Sequence, residues 1–137
     1  MPEEKSLSDY INKSNEITKA FDRKIRISLL SSFTINGLSE ILKVKSAERC
    51  ISCVVYEAPY NQYSQEILNK NSNLYKFLPD ITFLIIDTRN IFGEVFRFPY
   101  SISHLERKKI VEKKINEVKN LLDNYTKKSN SKIVVTK

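Results

Sequence analysis

At 137 residues the chain has room for one domain with a modest core. Its 23 Lys and Arg against 16 Asp and Glu give a formal charge of +7, and a hydrophobic fraction of 41% excludes wholesale disorder. Two widely separated glycines, Gly37 and Gly93, leave no place for a Walker loop or a G-x-G-x-x-G fingerprint, and the single histidine, His104, excludes a multi-His metal site.

In chain order, residues 6–21 read as a helix: Ser6 with Asp9 resembles a capping box, and Leu7, Tyr10, Ile11, Ile17 and Phe21 recur at helical spacing. This segment is expected to be an N-terminal helical extension (residues 1–22) ahead of one α/β domain (residues 23–137). Lys24–Ser31 is a strand, and Ser32–Gly37 a polar turn in which Thr34 or Asn36 can cap the next helix, which runs from Leu38 to about Arg49. Cys50–Tyr56 is the second strand. Short helices are expected around Tyr60–Ile67 and over Asn71–Leu78, the latter closed by Pro79.

Ile81–Ile86, the most apolar run, is expected to be a strand covered on both faces. Asp87–Tyr100 reads as a long loop. Ser103 with Glu106 forms a capping box for the longest helix, ending near Thr126, with Val111, Ile115, Val118, Leu122 and Tyr125 on one stripe. Lys132–Thr136 is the fourth strand. Helical crossovers between successive strands imply a three-layer α/β fold with a parallel, flavodoxin-like sheet in the order 2-1-3-4. The fourth strand lacks the helix that normally covers it, so the architecture reads as incomplete at its C-terminal end, with an edge expected to recruit a partner.

Cys50 and Cys53 form a C-x-x-C, but within a strand an offset of three puts the side chains on opposite faces. It also separates the Cα atoms by roughly 10 Å, beyond disulfide reach. Both are expected to be buried, inert thiols. No apolar h-region follows the acidic start, and the longest apolar runs are about half a dozen residues against the roughly 20 that span a bilayer. The expected location is cytoplasmic, without a membrane partner.

A ligand site on such a sheet belongs beyond the carboxyl ends of strands one and three, where strand order reverses. The loops there offer Ser31, Ser32, Thr34 and Asn36 on one side and Asp87, Thr88, Arg89 and Asn90 on the other, with Glu57 ending strand two beside them. Thr34 and Asn36 also read simply as helix caps, and Asp87 as a strand terminator. His104, the only candidate base for a serine, sits in a capping turn and reads first as an exposed first-turn residue. No catalytic residue and no metal ligand is assigned.

Residues 1–100 carry 13 basic and 12 acidic side chains, whereas residues 101–137 carry 10 and 4, so the positive charge belongs to the last helix and its tail. Lys109, Lys113 and Lys127 fall opposite the apolar stripe, and Arg107 and Lys114 flank it. This is either a solvated face or one that steers an acidic partner. Nucleic acid is disfavoured, because no recognised binding motif accompanies the charge.

Tyr56-Glu57, then Tyr60-x-Gln62-Tyr63-x-Gln65-Glu66-Ile67, then Ser72-x-Leu74-Tyr75-x-Phe77-x-Pro79-Asp80 resemble the N-terminal domain of FkbH-like proteins, enzymes of HAD-superfamily subfamily IIIC. The likeness runs from about Lys24 to the C-terminus. It implies an SGNH-hydrolase-like α/β domain that precedes a HAD phosphatase domain in enzymes of polyketide and related biosynthesis. Such enzymes dephosphorylate a three-carbon phosphoglyceryl unit and load it on an acyl carrier protein, using a D-x-D nucleophile motif and Mg²⁺. None of Asp9, Asp22, Asp80, Asp87 and Asp123 has a second Asp two positions on, so the HAD domain is expected to be absent here and its Mg²⁺ with it. The SGNH pattern is broken as well: strand one ends in Ser31-Ser32-Phe33 instead of Gly-Asp-Ser, no Asp-x-x-His occurs late in the chain, and only Asn90 lies near an oxyanion-hole position.

The leading expectation is therefore a non-catalytic recognition module that binds substrate or an acyl carrier protein, or pairs with a separately encoded HAD domain. The alternative is a degenerate SGNH-type esterase using Ser31 or Ser32 with Asn90. A third class, nucleic-acid binding through the basic helix, ranks last.

Overall fold

The computed structural model describes residues 4–136; residues 1–3 and 137, at the outer limits of the two expected units, lie outside it. The first helix, α1 (Leu7–Glu16), starts from a two-way capping box in which Ser6 Oγ accepts from Asp9 N and Asp9 Oδ2 accepts from Ser6 N. It ends sooner than its apolar spacing suggests. Ile17 and Phe21 fall in an extended link, where Phe21 N donates to Ser52 Oγ at 2.8 Å.

The chain continues through β1 (Arg23–Ser31), α2 (Leu38–Ala47), β2 (Ile51–Glu57), α3 (Tyr63–Leu68), α4 (Asn73–Phe77), β3 (Ile81–Ile85), α5 (Thr88–Phe92), α6 (Glu94–Arg97), α7 (His104–Lys128) and β4 (Lys132–Thr136). Two sequence expectations fail locally. Residues 87–100 are not one loop, because Asp87 caps α5 and Gly93, at φ 48°, lets the chain turn into α6. Helix α2 takes no cap from Thr34 or Asn36: its N-cap is Gly37, at φ 89°, without a side-chain hydrogen bond.

The four strands form one parallel sheet in the order β2-β1-β3-β4, as the helical crossovers imply. Alternation along β1 and β3 sends Leu30, Leu84 and Ile86 to one face, where they pack with Ile67 of α3, Leu74 of α4, and Leu121 and Tyr125 of α7. Ile27 and Leu29 lie among the buried residues, as does Val44 of α2, the helix packed against β2, with α1 outside it. A buried chain of hydroxyls crosses the first face: Ser28 meets Thr82, Thr82 meets Tyr125 at 2.6 Å, and Tyr125 meets Ser131 in the turn before β4. At the end of α7, Lys128 Nζ donates to the Leu68 carbonyl at 2.6 Å, tying this helix to the last turn of α3.

The cysteines depart from expectation. Both thiols are free, but Cys50 is exposed at φ 56° in the turn before β2, and Cys53 is only half-buried. The reversal out of α2 takes up Cys50, so the strand begins one residue later. Burial against the α2 side pushes the Cys53 thiol upward. The stripe on α7 is also only half used: Tyr125 is buried and Val118 and Leu122 half-buried, whereas Val111 and Ile115 are exposed, and Leu121, outside the expected stripe, is buried beside Tyr125. Among the described residues no helix is long and apolar enough to cross a membrane.

Candidate ligand-binding site

Beyond Ser31 the β1–β3 ladder gains one more bond, Ser32 N to the Ile85 carbonyl at 3.1 Å, and then the chains part. β1 leads into the crossover to β2 and β3 into the crossover to β4, so this is the point where strand order reverses. The hydroxyls here are held in place. Ser31 Oγ accepts from Phe33 N at 3.1 Å, and Ser32 Oγ accepts from Asp87 N at 2.8 Å. Asn90 Nδ2 donates to the Ser32 carbonyl at 2.9 Å, joining the two loops directly.

Asp87 caps α5 through Arg89 N at 2.9 Å and also receives the Arg89 guanidinium, with NH2 to Oδ2 at 2.8 Å. The guanidinium and this backbone N–H together hold the Asp87 carboxyl below its usual range, and the carboxylate in turn raises Arg89. Much of the Arg89 side chain remains in solvent, so this pair fixes the loop more than it stabilises the fold.

Two cavities flank the junction. The first, about 430 Å³, lies on the α7 side and is lined by Ser32, Asn61, Ser64, Asn90, Lys114, Asn120 and Asn124 over an apolar floor that includes Ile91, Val118 and Leu121. The second, about 500 Å³, is formed by Phe33, Thr34, Ile85, Asp87 and Arg89 with their neighbours. The expected residues therefore divide: Ser32 and Asn90 face the first cavity, Thr34, Asp87 and Arg89 the second. Ser31 is buried, while Asn36 and Glu57 are exposed and line neither.

Sequence reasoning missed Asn61, Tyr63 and Ser64 after β2 and Glu117, Asn120 and Asn124 on α7. The signal was present, because Lys114, Glu117, Leu121 and Asn124 recur at steps of three and four and so share one flank of a helix. Asn61 also adopts φ 53°, which asparagine tolerates, and its N–H donates to the Ser31 carbonyl at 3.2 Å.

Two of the basic side chains named above, Arg107 and Lys114, have partners within the chain. Arg107 donates to the Pro99 carbonyl at 2.6 Å and lies over the Tyr100 ring, so it holds the loop before α7. Lys114 pairs with Glu117 at 3.0 Å on the rim of the first cavity. Lys109, Lys113 and Lys127 are exposed. His104 is exposed at the first position of α7 and lines neither cavity, so neither serine has an imidazole beside it. Among the described residues, no three His, Cys, Asp or Glu side chains come together as a group that could hold a metal ion.

On β2, packed against the apolar core and Phe77, Tyr56 has a buried hydroxyl without a hydrogen-bond partner, and burial, with the Glu66 charge adding to it, pushes this phenol up to about 12. Tyr75, stacked on Tyr125 and donating to the Ile67 carbonyl at 2.7 Å, is also pushed up to about 12 by burial.

Fold and site together define a doubly wound α/β domain with a polar cavity at its strand-order reversal. Residues 26–136 match the model of the FkbH N-terminal domain, and the chain belongs to that family. None of the curated proteins matches it. Among solved structures it is similar to the N-terminal part of the protein BF1531 from Bacteroides fragilis, which contains a phosphatase domain and was crystallised with Mg. The identity is 18% and the TM-score 0.73 over 96% of this chain, which spans 32% of that one. At that identity the likeness shows the fold.

Proposed function

We propose that this domain is the recognition part of an FkbH-like enzyme, binding a small hydroxylated acyl unit in the cavity beside α7 while the basic face of α7 receives the acidic acyl carrier protein that bears it. The observation that carries this reading is the first cavity: about 430 Å³ at the strand-order reversal, ringed by amide and hydroxyl side chains with one lysine on its rim. Asparagine amides both donate and accept, which suits a ligand rich in hydroxyl and carbonyl oxygens. Exposed Lys109 and Lys113 lie on the same helix as Asn120 and Asn124, so one element would present both charge and pocket.

The domain is non-catalytic alone in this account. Its serine hydroxyls accept backbone hydrogen bonds and have no base beside them, which speaks against the esterase alternative. Phosphatase chemistry then belongs to a HAD-type domain carrying its own D-x-D and Mg²⁺. Calorimetric titration with an acidic acyl carrier protein, at low and at high salt, tests the reading. Binding at low ionic strength that weakens steeply with salt is expected. No binding at low salt, or binding indifferent to salt, overturns it.

A further inference from the structure

The first cavity is polar but carries no net charge. Among the described residues that line it, Lys114 and Glu117 are the charged ones, and they pair at 3.0 Å. The nearby cations are committed elsewhere or stand outside. Lys128 Nζ donates to the Ile67 and Leu68 carbonyls at 3.2 and 2.6 Å, capping the end of α3. Arg89 is held by Asp87 beside the second cavity. Lys113, four residues before Glu117, is exposed and forms no part of the wall. Tyr63 and Ser64 bring the start of α3 to the cavity, but Glu66 sits in that first turn and offsets the positive end of the helix.

The neutral groups are held ready for hydroxyls and carbonyls. Asn90 Nδ2 donates to the Ser32 carbonyl at 2.9 Å and Asn124 Nδ2 to the Asn120 carbonyl at 2.8 Å, which fixes both amides and leaves each its Oδ1 and one N–H. Ser32 Oγ, accepting from Asp87 N, keeps its own O–H to donate. A phosphate or a free carboxylate gives up water on entry and needs a free cation or converging N–H groups in return. Here it meets an ammonium already matched by Glu117, whose carboxylate repels it.

We propose that the cavity selects the uncharged form of the hydroxylated acyl unit, with its carboxyl already joined in a thioester, ester or amide and its hydroxyls free of phosphate. Glu117 is the residue that sets this selection, because it cancels the one cation on the rim. The cavity therefore takes the unit after water has cleaved any phosphate ester and inorganic phosphate has left, and turns away the phosphorylated form. This inference rests on the recognition reading above and adds which form of the unit is recognised.

The test titrates the full chain, at one fixed ionic strength, with three probes: the N-methylamide of glyceric acid, the same amide phosphorylated on its terminal hydroxyl, and free glycerate. Amide shifts at Ser32, Asn61 and Asn124 locate the binding. The neutral amide is expected to bind there, and the two anions to bind more weakly by about tenfold or more. Glu117→Gln, at an exposed position and so expected to fold, frees Lys114 and should move the ratio of affinities toward the phosphorylated amide by about tenfold. Lys114→Gln should move it the other way. A phosphorylated amide bound as tightly as the neutral one, or a ratio that Glu117→Gln leaves in place, overturns the selection while the recognition reading stands. Binding of none of the three probes overturns both.

Discussion

Removing one oxygen atom at Tyr125 tests how the fold is held beneath the site. Tyr125 is fully buried, and its hydroxyl bridges Thr82 on β3 and Ser131 before β4. Tyr125→Phe keeps the ring and its stack on Tyr75 but deletes two hydrogen bonds. It leaves the Thr82–Ser28 pair and Ser131 to rearrange among themselves. At roughly 1 kcal/mol net per bond, the expected loss is about 2 kcal/mol. With an unfolding entropy of about 2.1 cal/mol/K per residue, that lowers Tm by roughly 7 °C for a chain of 137 residues. Urea and thermal unfolding of Tyr125→Phe, Thr82→Val and the double variant measure both the loss and its coupling. The chain of hydroxyls predicts a double variant less destabilised than the sum of the singles, by about 1 kcal/mol. A Tyr125→Phe loss below about 0.5 kcal/mol, or strict additivity in the cycle, refutes this reasoning.

The two glycines separate backbone strain from crowding. Gly93→Ala meets no atom within 4 Å, so its expected loss of about 1–3 kcal/mol reports the positive φ alone. Gly37→Ala adds a Cβ that collides with Leu7 Cδ1, and Leu7→Ala should recover only that steric part in urea unfolding. Tyr56 and Tyr75 titrate near 12 in the fold and near 10 unfolded, so the fold binds more protons between those values. Their contribution is fully present below pH 10 and is lost as pH rises toward 12; tyrosinate absorbance should show both phenols ionising late or together with unfolding. Asp87 has the opposite sign. Its lowered carboxyl contributes above the ordinary carboxylate range and loses that contribution as pH falls through its folded value, so Asp87→Asn should flatten the acid limb of the stability curve.

The architecture was legible because parallel crossovers leave few choices. Apolar runs at Ile27–Leu30 and Ile81–Ile85, with helical spacings between them, were enough to give the strand order and to place the reversal between β1 and β3. Local reversals were less legible. Cys50 adopts φ 56° because the chain must turn from α2 into β2, a demand its own side chain does not announce. Ser32 and Asn90 were found because both follow strands facing the reversal. Asn61 and Asn124 were missed because a cavity wall drawn from α7 and the turn after β2 exists only once those elements pack. Periodicity placed Ile115 on the core stripe of α7, yet it is 57% exposed, since a stripe records which face is apolar and not how far along a helix the sheet reaches.

Mapping the amide shifts of the full chain during titration with a glyceryl-loaded acyl carrier protein tests the recognition account most directly. The account predicts saturable shifts at Ser32, Asn61, Asn90, Asn120 and Asn124 together with Lys109 and Lys113, and selective loss of the cavity shifts when Asn90→Leu removes the amide that joins its two loops. Shifts confined to the second cavity or to the β2 edge, or a response that Asn90→Leu leaves intact, would contradict it.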